Sequence, residues 1–389
     1  MNLKRLTHWV PHSIPILRVA SAVLAVAAVT LAGCQGTSKP KPAPLESEVN
    51  KINVRQAWTI QLPPVQFPVF MHVSGDNVAV TASDGTVAVI NASSGTEAWR
   101  VNVGAPITAG VGSDGSMVAV ITNKNQLVAI QDGKILWKRM LSAEAYTPPL
   151  VAGSRIFVQT ADRTASAWDG QSGRSLWVQS RSSKNDENLV LARPGVMLAV
   201  GDTLVSGIGG RLVGMDPANG GLRWEVPVSS PRGVTEVDQL TDLVGTVSRV
   251  GDNVCVRAYA AMIGCVDAAR GTLLWNKSAQ GYTGLSGDSS VIYGTESNGV
   301  VAAWNRDTGE KIWTVDRYKH RDLTAPVNVG RTVIVGEGTG DLYFLSRTDG
   351  TSLARLSPDG SPIVSAPVMA ANTVVVLTNK GGVFGYRPE

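Results

Sequence analysis

The strongest constraint on the fold is a motif in which a glycine is followed four residues later by a tryptophan. Its complete copies along the chain are Gly95/Trp99, Gly133/Trp137, Gly173/Trp177, Gly220/Trp224, Gly271/Trp275 and Gly309/Trp313. Trp58 begins the series without its glycine, and Gly350 with Ala354 ends it without its tryptophan. The eight positions are spaced by a mean of about 42 residues, which is the length of one propeller blade. The spacing predicts an all-β chain forming an eight-bladed β-propeller of four-stranded antiparallel blades.

One repeat shows what each blade would contain. Strands are predicted at 290–295, 300–305 and 310–315, with an Asn-Gly turn after the first strand and Gly309 in the turn before the last. We expect the glycine to adopt a positive φ and the tryptophan to pack between neighbouring blades. The final repeat offers only three strands, at 363–370, 373–377 and 382–387. Residues 54–62, around Trp58, are predicted to add the fourth strand and close the ring, which removes exposed sheet edges.

The N-terminal residues have the pattern of a secretion signal followed by a lipid-attachment site. Lys4, Arg5 and Arg18 precede a run of thirteen uncharged residues at 19–31 that is apolar except for Ser21 and Thr30, and this run is shorter than the roughly 20 residues of a membrane-spanning helix. The run ends in Leu-Ala-Gly-Cys34, which resembles the lipobox of bacterial lipoproteins. We expect removal of residues 1–33 and lipidation of Cys34, which would anchor the protein to a membrane. An ordinary signal peptide followed by a chance cysteine is the alternative.

The residues after Cys34 indicate a location and a linker. Gln35 stands where an aspartate would retain many such lipoproteins in the inner membrane, so the resemblance implies an outer-membrane anchor facing the periplasm. Residues 34–49 are predicted to form the lipidated cysteine and a flexible tether, because the segment is polar and rich in proline. Residues 50–389 would then form a single propeller domain. Loss of three signal-peptide cations lowers the formal net charge from +4 to +1, which argues against a nucleic-acid partner.

Two connections between repeats are longer than the others. The steps from Trp177 to Trp224 and from Trp224 to Trp275 are 47 and 51 residues, whereas ordinary steps are 38 to 41. The additional residues fall at about 181–194 and 229–245, after one outer strand and before the next inner strand. Both connections should therefore emerge on the same face of the ring. Long loops on a rigid scaffold often carry function, and neutral variation of loop length is the alternative.

Residues that could carry a reaction are scarce. Outside the signal segment the only histidines are His72 and His320, and neither has a partner at metal-ligand spacing. The glycine-rich stretch 207–210 lacks the Lys-Ser/Thr pair and the helix of a phosphate loop, and the Asp-Gly pairs of this chain are turn signatures. The sequence predicts no catalytic residue, no metal site and no cofactor.

The two cysteines beyond Cys34 are predicted to form a disulfide. Cys255 and Cys265 flank a short segment that would turn near Ala260 and place them opposite each other. The periplasm permits disulfides, and a cross-strand pair can meet the distance requirement. Two reduced, inward-facing thiols are the alternative.

With the lipobox, the proline-rich segment and the repeats taken together, the whole chain resembles the BamB family of outer-membrane protein assembly lipoproteins. The repeats alone also resemble those of pyrroloquinoline-quinone enzymes. More specific is Thr-Glu-Val-Asp-Gln-Leu-Thr-Asp at 235–242, which is similar to a BamB segment between the same two blades. The resemblance also covers 189–191 in the preceding long loop. It implies a non-catalytic scaffold of the BAM complex that docks on the periplasmic POTRA domains of BamA, with unfolded outer-membrane proteins as further partners.

The resemblance implies which residues contact the partner. They are the apolar anchors Leu189 and Leu191, the cation Arg193, and the acids Glu236, Asp238 and Asp242. The chain departs from the family pattern at two places. Ala192 stands directly after the second leucine, where the family has arginine, and Val244 stands where the family has another aspartate. These departures predict that the docking surface is retained but that its charge pairs involve other positions than in the family.

Two other functional classes can be weighed against the scaffold. A lipid-anchored quinoprotein dehydrogenase would usually be longer and would often carry two adjacent cysteines, which this sequence lacks. A module that binds periplasmic sugar or peptidoglycan would use exposed aromatic residues in its loops. Tyr146, Tyr282 and Tyr318 are the candidates for that role.

Overall fold

The structure is a computed structural model, and it describes residues 40–45, 50–181, 190–230 and 240–388. In these residues the chain forms thirty-two strands arranged as eight four-stranded antiparallel sheets, which are the blades of a β-propeller. Cys34, Leu189, Glu236 and Asp238 lie outside the described residues. The described residues contain no helix of the length and apolarity that crossing a membrane as a helix requires.

The first four blades follow one another along the chain. Blade 1 comprises β2 (His72–Ser74), β3 (Asn77–Thr81), β4 (Thr86–Asn91) and β5 (Glu97–Asn102). Blade 2 comprises β6 (Ile107–Ser113), β7 (Met117–Thr122), β8 (Gln126–Gln131) and β9 (Lys134–Met140). Blade 3 comprises β10 (Leu150–Ala152), β11 (Arg155–Gln159), β12 (Thr164–Asp169) and β13 (Ser175–Ser180). Blade 4 comprises β14 (Met197–Val200), β15 (Thr203–Ile208), β16 (Arg211–Met215) and β17 (Leu222–Pro227).

The second half repeats this arrangement, and its last blade takes one strand from the beginning of the chain. Blade 5 comprises β18 (Leu243–Val250), β19 (Asn253–Ala258), β20 (Met262–Asp267) and β21 (Thr272–Ser278). Blade 6 comprises β22 (Leu285–Gly287), β23 (Val291–Thr295), β24 (Val301–Asn305) and β25 (Lys311–Val315). Blade 7 comprises β26 (Val327–Val329), β27 (Thr332–Gly336), β28 (Leu342–Ser346) and β29 (Ser352–Leu356). Blade 8 comprises β30 (Val368–Ala370), β31 (Thr373–Leu377), β32 (Gly382–Pro388) and β1 (Val54–Gln61).

The N-terminal strand closes the ring, as predicted. Strand β1 pairs antiparallel with β32, from Val54 opposite Pro388 to Gln61 opposite Gly382. The predicted strand at 363–370 is wrong in its first half, because regular pairing covers only Val368–Ala370 and Ile363 forms an isolated bridge with Thr378. Pro367 lies between the two parts and has no backbone N–H to donate to a neighbouring strand.

The middle strands form the core, and the outer strands face solvent on one side. All six residues of β7 are buried, whereas β5 alternates between exposed and half-buried positions. Such fully apolar runs of valine, alanine and isoleucine suit strands that are covered on both faces. The core consists of clusters in which side chains of adjacent blades pack together, as in the cluster that holds Val89 of blade 1 against Val120 of blade 2.

The tryptophans of the repeated motif lie between blades, and each rests on the motif glycine of the next blade. The indole N–H of Trp137 donates to the carbonyl of Gly170 at 2.7 Å, and that of Trp313 donates to Arg347 at 3.0 Å. A Cβ added at Gly173 would lie 2.5 Å from Cδ2 of Trp137. Gly173 also has a φ of 65°, a conformation that favours glycine. The motif therefore joins neighbouring blades, which confirms the predicted packing.

Cys255 and Cys265 face each other across the hairpin of β19 and β20, with Cα atoms 4.0 Å apart. The two side chains are fully buried and form a disulfide in the structure. The hairpin turns at Ala260, which has a φ of 47°. The disulfide therefore links the two middle strands of blade 5.

Candidate functional site

The two long connections join the outer strand of one blade to the first strand of the next, and their returning ends lie side by side. We call residues 190–196 and 240–245 the paired segments. Gly195 and Val244 form an antiparallel bridge, and the N–H of Gly245 donates to the carbonyl of Pro194 at 2.9 Å. These backbone contacts place the ends of both connections together on one face of the ring.

Asp242 binds the first paired segment to the second. Its carboxylate Oδ2 accepts a hydrogen bond from the backbone N–H of Leu191 at 2.9 Å, and its carbonyl accepts one from the N–H of Tyr259, also at 2.9 Å. Burial raises the pKa of Asp242, while the bond from Leu191 and the positive charge of Arg163 act in the opposite direction. The carboxylate therefore fixes the backbone at Leu191 from within the same chain.

Arg193 is held by two aromatic rings. Its guanidinium carbon lies 5.7 Å from the ring centroid of Tyr259 and 5.0 Å from that of Tyr282, within the range of cation–π attraction. The hydroxyl of Tyr282 donates to Asp322 at 3.3 Å. Burial and the nearby Asp322 raise the pKa of Tyr282, so this hydroxyl keeps its proton at neutral pH. The stack presents the arginine in a fixed position.

The structure brings together three of the six residues that the family resemblance implied. Leu191 and Asp242 are in direct contact, and Arg193 lies two residues from Leu191, stacked on tyrosines. The two departures from the family pattern also have a structural counterpart. Val244 is 1% exposed and forms a backbone bridge with Gly195, whereas Ala192 is exposed.

Tyr259 was not predicted as a site residue, and Tyr282 was considered only for ligand stacking. Tyr259 lies at the end of the hairpin that contains the disulfide, and Tyr282 lies in the connection between blades 5 and 6. Both are far from Arg193 in sequence, so their contact follows only from the closed ring. Tyr146 instead donates its hydroxyl to Glu144 at 2.5 Å, and Tyr318 is buried.

A cavity of ≈ 560 Å³ adjoins the paired segments on the same face. The paired segments contribute Arg193 and Val244 to its wall, and other blade connections contribute Phe67 and Ile363. A second, water-sized space of ≈ 30 Å³ lies beside Leu191 and Asp242. The face thus combines apolar surface with a positioned cation and a half-buried carboxylate.

The described residues hold no cluster of three or more His, Cys, Asp and Glu side chains that could bind a metal ion. His72 lies half-buried in β2, where burial lowers its pKa. His320 is exposed in the connection before β26. The two histidines therefore belong to different parts of the ring and do not form the centre of a site.

Comparisons with known proteins agree on the family. A family model described as outer membrane protein assembly factor BamB matches residues 83–315 and 297–389. The protein named outer membrane protein assembly factor BamB from Burkholderia pseudomallei strain K96243 is 37% identical over 378 residues, which cover 96% of this chain and 99% of the relative.

Solved structures share the fold at lower identity. The crystal structure of BamB from Moraxella catarrhalis aligns with a TM-score of 0.77 at 24% identity, covering 86% of this chain and 100% of that one. A quinohemoprotein alcohol dehydrogenase from Comamonas testosteroni aligns with a TM-score of 0.65 at 13% identity, covering 95% and 83%. The propeller alone therefore does not separate assembly factors from enzymes. The family model and the 37% identical relative, which matches 96% of this chain, both point to the assembly factors. The chain belongs to the family of the outer membrane protein assembly factor BamB.

Proposed function

We propose that this protein is a non-catalytic scaffold lipoprotein of the outer-membrane β-barrel assembly machinery. It docks on the POTRA domains of BamA and supports the folding and insertion of outer-membrane proteins. Family membership supports the general role. The observation that carries the docking proposal is the pairing of residues 190–196 and 240–245, which gathers Leu191, Arg193 and Asp242 on one face.

The paired segments give these residues distinct roles in docking. Leu189 and Leu191 supply apolar surface, and burying one leucine side chain contributes roughly 1.5–3 kcal/mol. Arg193 offers its charge to an acidic group on the partner, because two tyrosine rings hold its guanidinium in place on this face. Asp242 keeps the backbone of Leu191 in place before docking, which reduces the ordering cost of association.

Lipidation of Cys34 adds a second source of effective affinity. The acyl chains would hold the propeller at the periplasmic side of the outer membrane, where a membrane-embedded partner is also confined. A tethered domain meets its partner at an effective concentration set by the linker. The proposed anchor therefore strengthens docking without adding a contact.

Purified mature protein and purified POTRA domains test the docking proposal directly. The double variant Leu189→Asp, Leu191→Asp is expected to lose measurable binding in titration calorimetry, while its thermal unfolding midpoint stays close to that of the unaltered protein. Leu222→Asp is a matched control, because Leu222 is 52% exposed on outer strand β17. Retained binding by the double variant, or an equal loss in the control, would contradict the proposed anchors.

A further inference from the structure

Residues just before the propeller are held by the ring itself. The carbonyl oxygen of Ala43 accepts two hydrogen bonds from Arg321, from Nε at 3.1 Å and from Nη2 at 2.8 Å. The N–H of Ala43 donates to the carbonyl of Lys319 at 2.9 Å. Both backbone groups of this alanine are therefore satisfied by one connection of the propeller, between β25 and β26. We call these three hydrogen bonds the clamp.

Arg321 is positioned for this contact by a buried carboxylate. Its Nη1 lies 3.1 Å from Oε1 of Glu337, and Glu337 is 1% exposed. Glu337 also accepts a hydrogen bond from the hydroxyl of Tyr343 at 3.0 Å. A buried carboxylate requires a cation and hydrogen-bond donors, so Glu337 orients the guanidinium and leaves Nε and Nη2 free to bind Ala43. Residues of the ring therefore hold Arg321 in position for the clamp.

The sequence around Ala43 suits this kind of contact. Pro42 and Pro44 flank it and fix their own φ angles. Proline-rich segments favour the polyproline II conformation, in which backbone carbonyls have no internal partner and little entropy is lost on binding. Leu45 follows and packs against the apolar cluster that contains Tyr318 and Leu323. The segment therefore binds through backbone groups and one apolar side chain.

The clamp lies on the same face as the candidate docking site. Arg321 belongs to a blade-to-blade connection, as do the paired segments, and Glu337 begins a turn between the second and third strands of blade 7. Asp322, next to Arg321, accepts a hydrogen bond from Tyr282, and Tyr282 stacks on Arg193. A continuous series of contacts therefore connects Arg193 with the clamp across the rim of the cavity.

From this juxtaposition we propose that the clamp on Ala43 makes the membrane anchor leave the propeller on the face that carries Arg193 and the paired segments. The inference rests on the proposed lipidation of Cys34. Cys34 lies nine residues before Ala43, and nine residues reach at most about 30 Å. Ala43 therefore lies within that distance of the anchored cysteine, and the clamp turns the face that carries Ala43 toward the membrane. The partner is contacted on the membrane-facing side of the ring.

Fluorescence quenching on vesicles tests this orientation. The lipidated full-length mature protein is inserted into vesicles of phosphatidylethanolamine and phosphatidylglycerol that carry nitroxide-labelled headgroups. Lys124→Cys places a fluorophore in the turn between β7 and β8, on the docking face, and Asp252→Cys places one in the turn between β18 and β19, on the opposite face. The fluorophore at position 124 is expected to be quenched more strongly. Equal quenching, or stronger quenching at position 252, would overturn the proposal.

Two clamp variants and one control make the test specific. Arg321→Ala and Leu45→Asp are each expected to abolish the difference between the two labels, because either change releases the segment. Leu45→Asp changes no residue of the blades or of their connections, so it remains an informative test if Arg321→Ala unfolds. Arg270→Ala is the control, because Arg270 pairs locally with Asp267 on the surface. A difference that persists in Leu45→Asp would refute the clamp.

The lipid anchor is checked separately in the same samples. Mass spectrometry of the N-terminal peptide is expected to show acyl chains on Cys34, and the protein is expected to float with the vesicles. An unacylated peptide would contradict the proposed lipidation and would overturn the orientation inference with it. Acylated protein with equal quenching at both labels would overturn the orientation inference alone.

Discussion

Replacing Asp242 distinguishes a residue that positions the docking segment from one that contacts the partner. The resemblance to BamB implies a direct charged contact with BamA, whereas in the structure one carboxylate oxygen holds the N–H of Leu191 at 2.9 Å. We expect Asp242→Ala to weaken binding to the POTRA domains because residues 190–196 lose this attachment. Asp242→Asn retains a side-chain oxygen that can accept the same hydrogen bond.

The size of the effect follows from this one contact. A hydrogen bond to a charged group contributes about 1.5–3 kcal/mol. Burial raises the pKa of Asp242 and so offsets part of that value, which places the contribution near the lower end. If the segment must be ordered to dock, the apparent Kd rises as the competent fraction falls. A loss of about 1.4 kcal/mol corresponds to a tenfold weaker Kd, so Asp242→Ala should bind roughly tenfold more weakly.

Titration calorimetry of the mature protein with POTRA domains measures both variants. Asp242→Asn is expected to stay within about threefold of the unaltered protein, because a neutral acceptor still contributes about 1 kcal/mol and so forfeits only about 0.5 kcal/mol. Chemical denaturation verifies that both variants are folded. Equal weakening by the two substitutions would show that the charge itself contacts the partner. Unchanged binding by Asp242→Ala would refute a positioning role.

Three further predictions concern stability. Gly173→Ala should lower the free energy of unfolding by about 3 kcal/mol, because the new Cβ meets a tryptophan ring at a positive φ. The control is Gly153→Ala, where φ is 58° and no atom lies within 4 Å of the added Cβ, so the loss should be only about 1 kcal/mol. Equal losses in urea denaturation would argue against the tryptophan contact. Glu296→Gln should lower the free energy of unfolding by about 3 kcal/mol, because the buried cation of Arg257 would lose its carboxylate partner. Burial already lowers the pKa of Arg257 to about 10. An unchanged denaturation midpoint would contradict this prediction. Because the folded pKa of Asp242 is raised, its contribution favours folding below the unfolded pKa and is lost as pH rises through the folded pKa. Asp242→Asn should therefore gain stability at neutral pH and lose that gain in acid, and a variant less stable at neutral pH would show that the charge is favourable.

Most of the fold could be predicted because it repeats. The glycine and tryptophan spacing gave the number of blades, and the strand count gave the closure by β1. The prediction failed at 363–370, where the apolar pattern continued through Pro367 although the backbone could not continue its pairing. The sequence also could not show that each tryptophan meets the glycine of the following blade, since that register depends on how blades pack.

Less of the candidate site could be predicted. The length of the two long connections predicted that they carry function, and the family resemblance indicated which of their residues contact the partner. The stacking of Arg193 on Tyr259 and Tyr282 joins positions far apart in the chain. The clamp on Ala43 uses the backbone of an alanine, and backbone groups leave no signature in a sequence. Proline content predicts an extended segment but does not reveal what the segment contacts.

Co-purification tests the scaffold account most directly. Tagged, lipidated protein is extracted in a gentle detergent, and the proteins that accompany it are identified by mass spectrometry. The account predicts recovery of an outer-membrane barrel protein bearing POTRA domains, and loss of that protein with Leu189→Asp, Leu191→Asp. Absence of such a partner from the unaltered protein, or its full recovery with the double variant, would contradict the account.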